Sequence, residues 1–138
     1  MDKTALKAFR SPLREMGEYE ELRSRLTKSR GLFCVTGCID SQKEHFTDGL
    51  AEGFASCLIV ASNDLRAREI YENYKLFDKE VYLLPALDLL FFQADVHSNL
   101  LQRQRISVLK ALALGEHVSV VTTISALMNR LMPFTQWK

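Results

Sequence analysis

Four short apolar runs, at residues 32–35, 57–61, 81–84 and 118–121, constrain the fold of this chain more than any other feature. A strand that is apolar without alternation is typical of a parallel sheet that is buried on both faces. Segments with helical spacing separate these runs, and strands that alternate with helices indicate βαβ units. The sequence therefore predicts an α/β domain with a parallel four-stranded sheet and helices on both faces.

Helices are predicted where apolar side chains recur at spacings of three and four residues, together with one short helix near the end of the chain. The predicted helices are residues 18–30, 41–55, 65–77, 99–114 and 126–131. The inner face of the third is predicted to contain Ile70, Tyr74 and Phe77. The inner face of the longest is predicted to contain Leu101, Ile106, Leu109 and either Leu112 or Ala113.

The domain organisation follows from these elements. We expect residues 1–17 to form an N-terminal arm or a short helix and residues 18–133 to form the α/β domain. Residues 134–138 are expected to be a truncated linker to a missing following domain. Trp137 in this last stretch either folds back on the domain or belongs to a piece cut from a longer protein, and we favour the second interpretation.

Composition excludes several classes of protein. Eighteen basic and seventeen acidic side chains give a formal net charge of +1, so the chain has no strong overall field for nucleic acid. Cys34 and Cys57 lie in apolar runs and are expected to be buried, and the spacing of cysteines and histidines predicts no metal site. The N-terminus lacks a secretory apolar segment, and no run approaches the roughly 20 residues of a membrane span. We therefore expect a cytoplasmic protein that makes no membrane contact.

Residues 31–41 have the strand, turn and helix order of a phosphate-binding loop but lack the residues that bind phosphate. A working loop reads G-x-x-x-x-G-K-[ST], because glycines let backbone N–H groups approach the phosphates and the lysine reaches the β and γ oxygens. Here Cys34 and Ile39 replace the two glycines, Asp40 replaces the lysine, and Ser41 keeps the Ser/Thr position. A branched side chain blocks close approach and a carboxylate repels an anion. The loop is therefore predicted to bind no nucleotide, and we expect no catalytic residue and no cofactor.

Two other interpretations of this loop stay open at the level of sequence. In the first, it is an ordinary strand-to-helix turn that never bound phosphate, with Asp40 or Ser41 as the N-cap. In the second, the chain is a small nucleotide-binding α/β enzyme or sensor, in which Gly37, Ser41 and the shifted Lys43 hold phosphate.

A second candidate region is the predicted loop between the third strand and the longest helix. It contains four successive large apolar residues, Leu89, Leu90, Phe91 and Phe92, between the carboxylates Asp88 and Asp95. An exposed group of this kind marks a contact with another domain. The alternative is a solvated loop with its aromatic residues tucked beneath it.

The remaining charged candidates are weaker. Arg103 and Arg105 are two positions apart and therefore face different sides of a helix. One is predicted to be a surface charge and the other an inward hydrogen-bonding group, and Arg105 is a further candidate for an interdomain contact. The three histidines, His45, His97 and His117, lie in different elements, and no catalytic role is predicted for them.

Three segments resemble the N-terminal module of the bacterial transcription-repair coupling factor. Residues 81–92, Val-Tyr-Leu-Leu-Pro-Ala-Leu-Asp-Leu-Leu-Phe-Phe, are similar to the Leu-Pro and acidic-apolar loop of that family. Gln104, Arg105 and Ile106, followed by Leu109, are similar to its Gln-Arg-Leu helix. The most specific match is residues 120–133, Val-Val-Thr-Thr-Ile-Ser-Ala-Leu-Met-Asn-Arg-Leu-Met-Pro, which are similar to its Val-Asn-Ala-Leu-Leu-Gln-Arg-Leu-Leu-Pro stretch.

The resemblance implies a fold. The module is similar to the first domain of the excinuclease B protein, a helicase-like protein with an intact Gly-Lys-Thr phosphate loop, and in the coupling factor that loop is degenerate. Ile39, Asp40 and Ser41 at the Gly-Lys-Thr positions fit this pattern. The expected fold is a P-loop NTPase or helicase-like half-domain with a degenerate Walker A sequence.

The resemblance also implies a role. Coupling factors are ATP-dependent DNA translocases that displace stalled RNA polymerase and recruit nucleotide excision repair. Their N-terminal module recruits the excinuclease A protein, mainly through an inserted second domain expected after Pro133, and it restrains the motor domains. For this chain the resemblance implies a non-catalytic scaffold whose partners are other domains of the same protein. The excinuclease A protein would be reached through the following domain, and RNA polymerase and DNA through the parent protein.

Overall fold

The computed structural model describes the backbone of residues 3–87, 95–115 and 118–130, and the side chains of residues 8–87, 100–115 and 118–130. The chain divides into two compact units, residues 1–53 and residues 54–138. Among the described residues, no helix combines the length and the apolar character that crossing a bilayer requires.

The described elements occur in the following order. The first unit contains α1 (Lys3–Arg14), α2 (Gly17–Lys28) and α3 (Asp40–Ala51). The second unit contains β1 (Ser56–Ala61), α4 (Asp64–Tyr74), β2 (Val81–Leu84), α5 (Asp95–Ala113), β3 (Val118–Thr123) and α6 (Ile124–Met128).

The second unit is built on a parallel sheet of three strands, with β3 between β1 and β2. Cys57 of β1 pairs with Ser119 of β3, and Tyr82 of β2 pairs with Val120. Every residue of β3 is buried, because a central strand of a parallel sheet is covered on both faces. The prediction of a parallel α/β fold is confirmed.

The two long helices of this unit pack against opposite faces of the sheet. Tyr74 and Ala67 of α4 contact a cluster that includes Val81 and Val121. Val108 and Ala111 of α5 belong to a second cluster, which also contains Leu84, Val118 and Val120. Successive residues of a strand point to opposite faces, so the two clusters lie on opposite sides of the sheet.

The fourth strand expected at residues 32–35 is absent from the structure, where these residues form neither helix nor strand. Leu32 is fully exposed, and Cys34, which was expected to be buried, is also exposed. Phe33 is partly covered by Arg25, whose guanidinium lies 5.4 Å from the centre of its ring. A run of four apolar residues does not define a strand, because a strand also needs a neighbour with which to pair.

The strand β1 is less buried than its composition suggested. Its neighbour in the described sheet is β3 alone, which makes it an edge strand. Leu58 is 56% exposed and Val60 is 44% exposed. The apolar run identified a strand but did not show that only one of its faces is covered.

The inner face of α5 differs from the predicted one. Arg105, Val108 and Ala111 are buried, whereas Ile106 is 51% exposed. Leu112, one of two alternatives for the last inward position, is also exposed. The buried row is displaced by one residue from the predicted row, which rotates the helix by about 100°.

Three helices form the core of the first unit. Tyr19 of α2 is buried, and its ring meets Phe46 of α3 edge to face at 5.2 Å. Gly49 allows this approach, since a Cβ atom there would lie 2.6 Å from the Tyr19 hydroxyl and 2.8 Å from Leu13 Cδ1.

Candidate functional site

The loop before α3 has the backbone of a simple helix entry. Gly37 has a φ of 85°, a conformation that favours glycine. Ile39 is the N-cap of α3, with φ −73° and ψ 158°, and Asp40 is the first helical residue. Neither Asp40 nor Ser41 therefore caps the helix, contrary to one of the interpretations from sequence.

A carboxylate lies at the start of α3, at the position where an anionic ligand would be stabilised. The Nζ atom of Lys43 lies 2.6 Å from Asp40 Oδ1, and both side chains are exposed. A negative charge in the first turn interacts favourably with the helix dipole, which is the same interaction that a phosphate would make. The chain thus provides its own anion at this helix end, and Lys43 is directed toward that anion.

The carboxyl ends of the strands form the region where α/β sheets usually bind ligands. Here their polar side chains bond to other groups of the protein. The Thr123 hydroxyl donates to Asp64 Oδ1 at 3.1 Å and accepts from the Ala126 N–H at 3.3 Å. The Thr122 hydroxyl donates to the carbonyl of Leu84 at 3.0 Å. These bonds hold strand ends and helix starts together.

Arg105 belongs to the same end of the sheet. Its Nη1 atom donates to the carbonyl of Pro85 at 2.6 Å and to that of Ala126 at 3.4 Å. Its Nη2 atom is buried and has no hydrogen-bond partner in the described part of the chain. Burial lowers the pKa of its guanidinium. Nearby, the Leu87 N–H donates to Asn129 Oδ1 at 2.8 Å, so the segment after β2 is tied to the segment after β3.

These positions bear on the candidates named from sequence. Arg105 is an inward hydrogen-bonding group with 5% exposure, and Arg103 is exposed. The other candidates for an interdomain contact, Leu89, Leu90, Phe91 and Phe92, lie outside the described residues.

An ionic cluster in the first unit was not predicted. Arg10 binds Asp48 in a bidentate manner, with Nε and Nη2 at 2.7 and 2.8 Å from the two carboxylate oxygens. Glu52 lies within 3.5 Å of Arg10, Arg14 and Arg23. The sequence did contain a signal, since the two arginines of α1 and the two acids at the end of α3 are each four residues apart, a spacing that places each pair on one helix face.

The electrostatics of this cluster lead to a prediction about pH. Burial of Glu52 disfavours its charge, but Arg14, Arg10 and Arg23 outweigh this effect and lower its pKa. A lowered folded-state pKa adds stability above the unfolded pKa, and this stability is lost as pH falls through the folded pKa. We expect Glu52→Gln to lose about 0.5 kcal/mol at pH 7 and to depend less on pH between about 5 and 3. Urea unfolding followed by circular dichroism measures both quantities, and equal pH slopes for the variant and the parent would contradict the assignment.

The histidines and acids form no reactive group in the described part of the chain. His45 Nε2 lies 2.7 Å from the carbonyl oxygen of Phe9, so this nitrogen donates and the ring acts as a helix-to-helix contact. No group of three or more His, Cys, Asp or Glu side chains among the described residues is arranged to hold a metal ion. His117, Asp88 and the side chains of Asp95 and His97 lie outside the described residues.

Comparison with known proteins finds no match for this chain among protein families, curated proteins or solved structures.

Proposed function

We propose that this chain is a non-catalytic scaffold domain of a transcription-repair coupling factor. The sequence resemblance, which covers roughly residues 30–133, supports this choice of family. The pairing of Asp40 with Lys43 at the start of α3 is the observation that carries the non-catalytic role, because it puts a carboxylate and a neutralised cation where a nucleotide phosphate would bind.

The carboxyl ends of the strands give further support. An enzyme of this fold class directs polar side chains from these ends toward a substrate. In this chain Thr122, Thr123 and Arg105 instead bond to the protein's own carbonyls and side chains. Such an arrangement stiffens a platform, and a stiff platform suits a domain that presents a neighbour and restrains a motor.

We further propose that residues 18–133 are a P-loop NTPase or helicase-like half-domain and that residues 34–41, in the first unit, are a decayed phosphate loop. The parallel sheet with a helix on each face is consistent with this class. The loop itself supports the proposal only through its sequence, since residues 32–35 form no strand. In the parent protein, the partners are the following domains, the excinuclease A protein through the next domain, RNA polymerase and DNA, all in the cytoplasm.

Calorimetric titration with ATP and magnesium separates this proposal from the nucleotide-binding alternative. We expect no binding heat up to about 1 mM ATP, because the Asp40 carboxylate repels the triphosphate. Binding in the micromolar range, together with its loss in Lys43→Ala, would establish the enzyme or sensor instead. Lys110→Ala, an exposed lysine in α5, is the matched control and should leave the titration unchanged.

The family assignment has its own test. The gene product that carries residues 1–138 is expected to contain helicase motor motifs and to release stalled RNA polymerase from DNA in the presence of ATP. A gene product that lacks motor motifs, or that leaves stalled complexes intact, would contradict the assignment whatever the outcome of the ATP titration.

A further inference from the structure

Two cysteines lie in the segment that connects α2 to α3. Residues 29–39 of this segment form neither helix nor strand. Cys34 is exposed, Cys38 is half-buried, and neither is part of a disulfide. Oxidants reach a thiol that is exposed to solvent, and a second thiol nearby then completes a disulfide with it. The segment therefore presents an oxidisable sulfur atom with a second thiol four residues further along the chain.

The backbone between these cysteines is bent. The bend lies at Gly37, whose φ of 85° is a conformation that glycine adopts without strain. Fully extended backbone would place the Cα atoms of Cys34 and Cys38 about 13 Å apart, whereas a single helical turn would place them about 6 Å apart. A disulfide requires a Cα separation of about 4.4–6.8 Å. A tightening of this bend into one turn therefore allows the two sulfur atoms to bond.

Few interactions oppose such a tightening. Within the part of the chain that the structure describes, no backbone group of residues 30–38 makes a hydrogen bond. The flanking bonds run from the Ser29 N–H to the carbonyl of Arg25 and from the Gln42 N–H to that of Ile39. The three residues between the cysteines are all exposed, so a movement of this stretch removes no side chain from a core.

The third cysteine, Cys57, has a different setting. It belongs to β1, where it pairs with Ser119 in the parallel ladder, and it is half-buried. A movement of Cys57 toward another thiol would break hydrogen bonds of the ladder. Loop closure also costs more for the longer loop that would join it to Cys34 or Cys38. We therefore expect Cys34 and Cys38 to react with each other in preference to Cys57.

We propose that Cys34 and Cys38 form a redox-sensitive dithiol, which a low-molecular-weight disulfide, here oxidised glutathione, converts to an intramolecular disulfide. The Cys34 thiolate attacks one sulfur of oxidised glutathione, which forms a mixed disulfide and releases one glutathione thiolate. The Cys38 thiolate then attacks the Cys34 sulfur, and the second glutathione thiolate leaves. In total the protein loses two hydrogens and two electrons, and one oxidised glutathione becomes two reduced ones. The inference does not depend on the proposed function, since it rests on the two thiols and the bend between them.

Peptide mapping tests this proposal directly. Trypsin cleaves after Arg30 and Lys43, so both cysteines lie in one peptide, residues 31–43, and Cys57 lies in another, residues 44–66. The reduced full chain is incubated with oxidised glutathione, the remaining thiols are alkylated, and the chain is digested without reduction. We expect the peptide 31–43 to lose two hydrogens and to carry no alkyl group, several-fold faster than Cys57 loses its capacity for alkylation. Alkylation of all three cysteines, or a disulfide to Cys57 or to a second chain, would overturn the proposal.

Two variants test the roles of the individual thiols. Cys38→Ser removes the second thiol, so Cys34 should retain glutathione as a stable mixed disulfide. Cys57→Ser is the control, and it should leave the formation of the linked peptide unchanged. Circular dichroism shows that both variants are folded. The proposal is refuted if folded Cys38→Ser accumulates no glutathione on Cys34, or if folded Cys57→Ser no longer forms the linked peptide.

Discussion

Tyr74→Ala should lower the free energy of unfolding of the second unit by about 4 kcal/mol. Tyr74 is completely buried at the end of α4, where it packs with Ala61, Ala67, Val81 and Val121. These neighbours are small, and three of them belong to the sheet, so they are poorly placed to fill the cavity. Since domains of this size are stable by only about 5–15 kcal/mol, the variant should lose a large share of its folded stability.

Amide hydrogen exchange in β3 measures this effect, because the central strand opens only when the unit unfolds. A loss of 4 kcal/mol corresponds to exchange about a thousandfold faster. Leu76→Ala is the control, since Leu76 lies two residues further along the chain and is 67% exposed. This variant should change the stability by no more than about 0.5 kcal/mol. Equal protection of β3 in the two variants would show that Tyr74 is not a core residue.

The sheet was largely predictable, because its strands are marked in the sequence by their apolar composition and by residues, such as proline, that end a strand. The strand Val81–Leu84 was predicted with its observed limits, since it is apolar throughout and Pro85 removes the next backbone donor. Helix α4 was predicted to begin within one residue of its observed start but to end three residues too late, at Phe77 instead of Tyr74, and Tyr74 lies on the predicted inner face. Apolar character did not reveal which strand is central, because strand order depends on contacts between distant parts of the chain.

The polar interior was not predictable from periodicity. Apolar spacing placed Ile106 inside α5, whereas the structure buries Arg105. A guanidinium can occupy this position because the carbonyls of Pro85 and Ala126 accept hydrogen bonds from it. Those carbonyls belong to segments about 20 residues away from Arg105, so the sequence around Arg105 does not show that its guanidinium has hydrogen-bond acceptors in the interior. The sequence correctly predicted that one of Arg103 and Arg105 points inward, but it did not show which of the two does.

The loop before α3 shows a different limit. Cys34 and Ile39 stand at the two glycine positions of a phosphate loop and Asp40 stands at its lysine position, and this difference is visible in the sequence. The strand expected before it at residues 32–35 did not form, because four apolar residues carry too little information to specify a pairing partner. The ionic pair of Asp40 with Lys43, by contrast, lies within one helical turn and was accessible from spacing alone.

Asp48→Ala should destabilise the first unit by about 3 kcal/mol. The Asp48 side chain is 3% exposed, and the Arg10 side chain is 20% exposed. Removal of the carboxylate leaves a largely buried guanidinium with Glu52 Oε1 at 3.4 Å but without its bidentate partner, and the loss of this partner is the main source of the destabilisation. A unit of about 50 residues buries a small core and has little stability in reserve. Exchange of amide hydrogens in α1 and α3 should therefore become more than a hundredfold faster.

Asp40→Ala is the matched control, because it makes the same substitution in the same helix at a side chain that is 74% exposed. Its effect should stay within about 1 kcal/mol. Arg10→Met combined with Asp48→Leu should recover most of the stability, because apolar groups of similar size can replace a buried ion pair at little cost. If the amide hydrogens of α3 exchange at the same rate in Asp48→Ala and in Asp40→Ala, the ion pair of Asp48 with Arg10 does not hold α1 and α3 together. If Asp48→Ala is destabilised as expected and the double variant is no more stable than Asp48→Ala, the two side chains stabilise the unit through contacts other than the ion pair.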